Sequence, residues 1–370
     1  MMFKYIFAFI MFTHGFIHFM GFVKAFEYGN ISQLTKDISK SMGFFWLLTA
    51  SLFIIATVLF FLNNEYWVYI AIIAIIISQI LIFSVWKEAK LGSIPNLVII
   101  VVAFLSWTTY NFEATFRKDV NKNLKESKST IKTDLLTEKD IESLPEPVQK
   151  YLHYCSVNNK PKVKNFRIVF DGEMRDKGKD WFQFQSVQYN FFDNPTRLFF
   201  MKAKMFGITV PGYHNYQNAN ASMQVKLFGV FPVVDVSGIE MNKAETVTVF
   251  NDMCLMAPAT LIDKRIQWKT IDNNNVEATF HNEGFEIKAI LKFNEKGQLI
   301  NFISDDRYAI ADMKRYRFST PVKDYKSMNG INVITYREAV WHYPDGEFVY
   351  RKFYLIDLSF LTITTNCYIC

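Results

Sequence analysis

Residues 276–293, VEATFHNEGFEIKAILKF, decide the fold of most of this chain. Phe285, Ile287, Ala289, Leu291 and Phe293 fall on one face of an extended segment, and Glu286 and Lys288 fall on the other. Val276, Ala278 and Phe280 repeat the pattern one strand earlier, across the turn Asn282–Gly284. Period-two alternation of this kind marks an antiparallel sheet with one buried face and one wet face.

Working outward, turn signals at Asp272–Asn275 and Asn294–Gly297 frame a four-stranded meander over residues 265–309. Further strand runs occupy 163–174, 181–191, 195–205, 207–214, 222–228, 331–343 and 347–357, the last two joined at Asp345–Gly346, for about eleven strands in all. Lys243–Leu255 reads as helix, with Ala257–Leu261 extending it. Upstream, Thr137 and Asp140 read as a capping box that opens a short helix. Pro145 and Pro147 end it, and Val148, Tyr151, Leu152 and Cys155 then recur at helical spacing. A sheet of so many strands must curl or close. The expectation is an α+β domain over 135–358, a curved antiparallel half-barrel packed on short helices. Its interior is either an apolar cavity or a filled core, and the pattern leaves both open.

The first 110 residues obey different rules. A helix needs about 20 apolar residues to cross the hydrocarbon core. Four stretches meet that need: about 3–23, 43–62, 66–86 and 93–110. Tyr66, Trp67, Trp86, Trp107 and Tyr110 lie at their ends, as interfacial aromatics do. The first run is long, holds His14 and His18, and is followed by no small-residue cleavage site, so it reads as a retained helix. Residues 111–134 are polar, with mixed charge, and read as a linker; 359–370 read as an irregular tail. With four spans both ends share a side. Lys4, Arg117, Lys118, Lys122, Lys125, Lys128 and Lys132 then oppose Lys24, Lys36, Lys40, Lys87 and Lys90, a balance that does not orient the bundle.

The net charge of +6, with no basic stripe interleaved with aromatics, argues against a nucleic-acid partner. Cys155, Cys254, Cys367 and Cys370 are too few and too scattered for a disulfide framework or a zinc site. The sequence holds no phosphate loop, no G-x-S-x-G elbow and no H-E-x-x-H, so no catalytic residue, metal or cofactor is assigned. Three weaker features remain. His14 and His18 lie four apart on one helix face within the first apolar run, either as a haem, quinone or metal site or as histidines bonded between helices. Asp305, Asp306 and Arg307 form a charged cluster in which Arg307 clamps an anionic head group or joins a structural ion pair. Trp341 and Tyr343 share a face as core or cavity lining. Arg307, Asp306, Trp341 and Tyr343 are thus the candidate ligand-binding set.

VKLFGVFPVVDVSG at 225–238 resembles a family of bacterial proteins known as domain of unknown function 6544. So do MAPATLI at 256–262 with Ile266-Gln-Trp268, SDDRY at 304–308, Ser319-Thr-Pro321 with Asp324-Tyr325, and WHYPDGE at 341–347. HGFIH at 14–18 with GFVKAF at 21–26 looks like the helical region attached to some members. The tail after Leu358 and residues 214–221 depart from the family pattern. The resemblance implies the lipoprotein-carrier type of half-barrel on the extracytoplasmic side. The resulting expectation is a multi-pass membrane protein, with the bilayer and a lipid or other apolar molecule as partners. The alternatives are a membrane enzyme or redox protein using His14 and His18, and a structural or scaffolding protein.

Overall fold

The structure is a computed structural model that describes residues 2–128, 134–205 and 207–360. The chain divides into two compact units. One runs to Phe112 and takes in Phe228–Val230; the other begins at Glu113.

In the first unit, α1 (Met2–Ile17) is followed after a break at His18 by α2 (Phe19–Ala25). Next come α3 (Lys40–Phe61), α4 (Trp67–Ser84), the single turn α5 (Trp86–Ala89) and α6 (Ser93–Lys128). Ser39 caps α3 by accepting from the Met42 N–H. Four helical segments are long and apolar enough to cross a membrane: Phe3–Ala25, Lys40–Phe61, Trp67–Ser84 and Trp86–Ser127. Small residues let them approach closely. Ala50, Ala56, Ala71, Ala74 and Ala103 are buried, and Gly21 and Gly15 face the side chains of Trp46 and Phe53 at distances that leave no room for a Cβ. Phe9, Phe16, Ile55, Ile73, Ile80 and Phe104 point outward, where water would penalise them and hydrocarbon would not.

The fourth helix was expected to end at Tyr110 before a polar linker. Instead α6 continues through Lys128. Phe116, Val120 and Asn123 fall at helical spacing and are buried, and Glu113 pairs with Arg117 at i, i+4. This half of α6 covers the convex side of the sheet described next. Phe116 packs on Phe200 and Tyr213, and Asp119 accepts from the Tyr213 hydroxyl at 2.8 Å and from Asn215 at 3.1 Å.

In the second unit, α7 (Glu138–Ile141) opens on the Thr137–Asp140 capping box, and α8 (Glu146–Tyr154) has Pro147 in its first turn. A meander follows: β1 (Asn165–Met174), β2 (Phe182–Phe191), β3 (Thr196–Met205), β4 (Ile208–Gln217), β5 (Asn220–Leu227) and β6 (Phe231–Ser237). The chain then runs through α9 (Ile239–Met256) and a 3-10 turn to β7 (Ile266–Asp272), β8 (Asn275–Asn282), β9 (Phe285–Phe293) and β10 (Leu299–Ser304). A two-stranded ribbon, β11 (Tyr308–Ala309) and β12 (Lys314–Arg315), precedes β13 (Arg317–Met328), β14 (Ile331–Tyr343) and β15 (Gly346–Phe360). Pairing of β15 with β1, from Phe166↔Phe360 to Met174↔Arg351, joins the two meanders into one antiparallel sheet of thirteen strands among the described residues. Its edges, β6 and β7, do not pair, so the barrel stays open.

The link between those edges is α9, which lies on the concave face and fills it. Phe250 stacks on Phe280 at 5.1 Å and meets Phe302 edge-on at 5.8 Å. Each such buried ring contributes about 1.5–3 kcal/mol. The Tyr151 hydroxyl of α8 donates to the Cys254 carbonyl of α9 at 2.9 Å. Burial pushes the thiols of Cys155 and Cys254 up, which keeps them inert. Cys367 and Cys370 lie outside the described residues.

Two strands of the thirteen-stranded sheet were absent from the expected eleven. Phe231–Ser237 opens on Phe-Pro, and Pro232 is tolerated there because β6 is an edge. Arg317–Met328 carries Pro321 and lies centrally. The ladder to β14 skips Thr320 and Pro321 and resumes at Val322↔Arg337. The tail was expected to be irregular from Ser359, but β15 includes Ser359 and Phe360.

Candidate functional site

One face of α9 is polar. Glu245, Thr248 and Asp252 recur at i, i+3 and i+7, with Asn251 beside them, so all four look into the curved sheet. Strands β2, β3 and β4 bring up Gln188, Arg197 and His214; β14 and β15 bring up Arg337 and Arg351. Asp252 collects the bonds. Its Oδ2 accepts from Arg197 Nε at 2.8 Å and Gln188 Nε2 at 2.7 Å, and its Oδ1 from Arg337 Nη1 at 3.1 Å. Arg197 Nη1 also donates to Glu245 at 3.1 Å and Nη2 to Gln188 at 3.1 Å. Burial works to raise the Glu245 pKa, but the Arg197 charge and the His214 hydrogen bond, with Arg307 further off, overcome it and hold the carboxyl down at about 2. Burial keeps His214 below the ordinary imidazole value, so it is neutral near pH 7.

The charges in this cluster do not cancel. Arg197, Arg307, Arg337 and Arg351 line one cleft of about 40 Å³, and the carboxylates that face them are Glu245 and Asp252. Glu338, also at the cleft, alternates with Arg337 and turns its carboxylate to the Tyr336 hydroxyl on the other face of β14. Arg307 and Arg351 have no carboxylate within ion-pair distance among the described residues. Arg351 Nη2 donates only to the Met174 sulfur, a weak acceptor, at 3.1 Å. The Nε atoms of Arg307, Arg337 and Arg351 are all buried without a partner. Aromatic rings cover the guanidinium faces: Phe318 and Trp341 lie 4.0 and 5.3 Å from Arg307, and Tyr350 and Phe353 lie 5.4 and 5.6 Å from Arg351. Stacking occupies the faces and leaves the N–H edges to donate in plane. A cleft of this volume admits about three waters or one small anionic group, not an acyl chain.

The structure places two of the four ligand-binding candidates together. Arg307 lines the cleft, and Trp341 is buried beneath it. Asp306 turns away to Lys243 at 3.0 Å and Arg315 at 3.4 Å, and it accepts from the Lys288 N–H. Tyr343 packs on Tyr316 and Trp341 and does not line the cleft. The expected ion pair forms without Arg307: Asp305 pairs with Arg317.

A serine relay also emerges on the convex face. His342 Nε2 lies 2.8 Å from Ser319 Oγ, and His342 Nδ1 lies 3.2 Å from Glu347. These are nucleophile, base and orienter distances. Ser319, however, is 2% exposed and paired in register on both sides, with Ile303 and Val340. The relay ties β13 to the β14–β15 turn.

In the helical unit, His14 Nε2 bonds Asn96 Oδ1 at 2.9 Å. His18 bonds the His14 carbonyl through Nδ1 at 2.8 Å and Ser78 Oγ through Nε2 at 2.9 Å. Both nitrogens of His18 are therefore engaged, and a metal shared by the pair would have to displace one of these bonds.

The chain belongs to the family of unknown function DUF6544, whose profile matches residues 134–353. No curated protein matches it. Among solved structures it is similar to a domain described as a putative outer membrane lipoprotein-sorting protein from Vibrio parahaemolyticus, with 9% identity, a TM-score of 0.32, and 55% of this chain and 88% of that one covered. It is also similar to a LolA superfamily protein from Nitrosomonas europaea, with 9% identity, a TM-score of 0.34, and 62% and 95% covered. These superpositions are loose, and the half-barrel stands on the strand order above.

Proposed function

We propose that this is a membrane-anchored binding protein whose half-barrel takes the anionic head group of a membrane lipid. Its four apolar helices hold the half-barrel at the bilayer. The observation that carries the reading is the uncompensated charge in the cleft, where four buried or half-buried arginines face two carboxylates. An unpaired buried cation costs several kcal/mol, and an anion with in-plane acceptors relieves that cost. The filled interior favours a head group over an acyl chain, so the lipid's tails stay outside the barrel.

The test uses the full chain in detergent. Native mass spectrometry and calorimetry compare inorganic phosphate, phosphatidylglycerol and phosphatidylcholine. Saturable binding of phosphatidylglycerol but not phosphatidylcholine is expected. It should weaken at least about tenfold in the Arg307→Gln/Arg351→Gln double variant, as loss of charge-assisted bonds requires. Equal affinity for phosphate and phosphatidylglycerol would reassign the cleft to a free anion. No saturable binding of any of the three would end the reading.

A further inference from the structure

The polar network of the helical unit has a direction. The His14 carbonyl only accepts, so His18 carries its proton on Nδ1. His18 Nε2 is then an acceptor, and Ser78 Oγ must donate to it. Ser78 accepts in turn from Asn96 Nδ2 at 3.0 Å, and the other Asn96 N–H goes to Gln79 Oε1 at 3.2 Å. Both hydrogens of the Asn96 amide are thereby placed, so its Oδ1 is the acceptor facing His14 Nε2. His14 consequently carries its proton on Nε2. No carboxylate reaches either ring among the described residues, so both are taken neutral.

This assignment leaves one open end, a lone pair on His14 Nδ1, for which no partner exists among the described residues. His14 is 3% exposed, and its ring lines a pocket of about 280 Å³ where α1 finishes and α6 begins. The walls are mostly apolar, with Ile17, Met20, Leu34, Ile82 and Pro95 among them. The ring lines the pocket, so a donor seated there can reach the open acceptor and supply the hydrogen bond that it lacks. The volume falls near the lower end of small-molecule sites.

We propose that this pocket binds an uncharged apolar molecule carrying a hydroxyl group, anchored by its O–H donating to His14 Nδ1. A carbonyl or ether offers no proton to that lone pair, and an anion would face it with repulsion. The proposal is independent of the arginine cleft, since each could fail alone.

The experiment uses the full chain in nanodiscs with two probes, 4-butylphenol and its methyl ether. The phenol is expected to bind saturably at one site, at least about tenfold tighter than the ether, as one neutral hydrogen bond allows. His14→Phe should abolish that preference. In case the variant fails to fold, ¹⁵N-histidine NMR of the wild-type chain provides a second readout: the His14 Nδ1 resonance should move upfield as phenol saturates. Equal affinities, absence of saturable binding, or a static His14 Nδ1 signal under saturation would each overturn the site.

Discussion

The helical unit and the half-barrel each bury a polar network, and they satisfy it by different means. Around His14, His18, Ser78, Gln79 and Asn96 every group is neutral, and each donor finds an acceptor along a chain with one open end. Around Asp252 the groups are ionised, the carboxylates are saturated, and two guanidiniums are left over. In a hydrocarbon surround ionised groups are the costlier choice, so helices that cross a bilayer build with amides, hydroxyls and neutral imidazoles. A half-barrel that keeps a wet mouth can hold charge, provided that it is paired or awaits a partner. A neutral network can be cut with modest loss, whereas a charged one depends on which sign is removed.

The largest effect is expected at the hub. Asp252→Asn removes the carboxylate that Arg197 and Arg337 share and leaves both cations buried. It should cost about 3–5 kcal/mol, or prevent folding. Urea unfolding of the full chain in detergent, followed by tryptophan fluorescence, measures it. A loss below about 1 kcal/mol would mean that water reaches the cluster freely, and the contrast between the units would collapse.

Acid probes the same hub without mutation. The folded Glu245 pKa, about 2, lies below the unfolded value of 4.5. Its stabilisation is therefore complete above the unfolded value and is lost as pH falls toward the folded one, with about 3 kcal/mol at stake. His214 acts in the same direction from higher pH. Its folded value is depressed below 6.5, so protons favour the unfolded chain as pH drops beneath that point. Unfolding midpoints recorded from about pH 7 down to about pH 3 should fall in this order. A flat profile would detach Glu245 from Arg197.

Much of the sheet was legible because alternation is a local signal. Val276 to Phe293 show it without interruption. Of the arginine cleft only Arg307 was legible, as part of the Asp305–Arg307 cluster, because Arg197, Arg337 and Arg351 are single positions within strands and a charge there reads as a solvent-facing residue. A signal did exist. Arg337 precedes Trp341 by four residues and so shares its face, and Arg351 precedes Phe353 by two. Glu245 and Asp252, seven apart on one face of α9, matched them. What no local reading supplies is the crossing of α9 beneath both halves of the sheet, which turns remote segments into one site. The extension of α6 was missed for another reason. Its Phe112, Phe116 and Val120 stripe was outweighed by the polarity of the residues between.

In the helical unit, Asn96→Leu should cost less than the hub change, about 1–2 kcal/mol. It strands the His14 Nε2–H and removes a donor to Ser78, but it leaves no net charge unpaired. Asn96→Ala is the control for volume. A cost equal to that of Asp252→Asn would show that the histidines carry charge, and the neutral assignment would fail.

The smallest effect, and the sharpest discriminator, is expected from Arg351→Met. Truncating a paired ion exposes its partner, whereas truncating a surplus ion exposes nothing. The thioether chain that replaces the guanidinium would keep the packing on Phe184, Phe199 and Phe353. It would shed a cation that burial, together with Arg307 and Arg197, already pushes below the ordinary arginine pKa. The ligand-free chain should therefore unfold within about 1 kcal/mol of wild type, with any shift toward greater stability. Anion affinity should fall in the same variant. A penalty as large as that of Asp252→Asn would mean that Arg351 is paired after all, and the cleft would then hold no vacancy for a negative group. Stability retained while binding falls is the outcome that a structural ion cluster cannot produce.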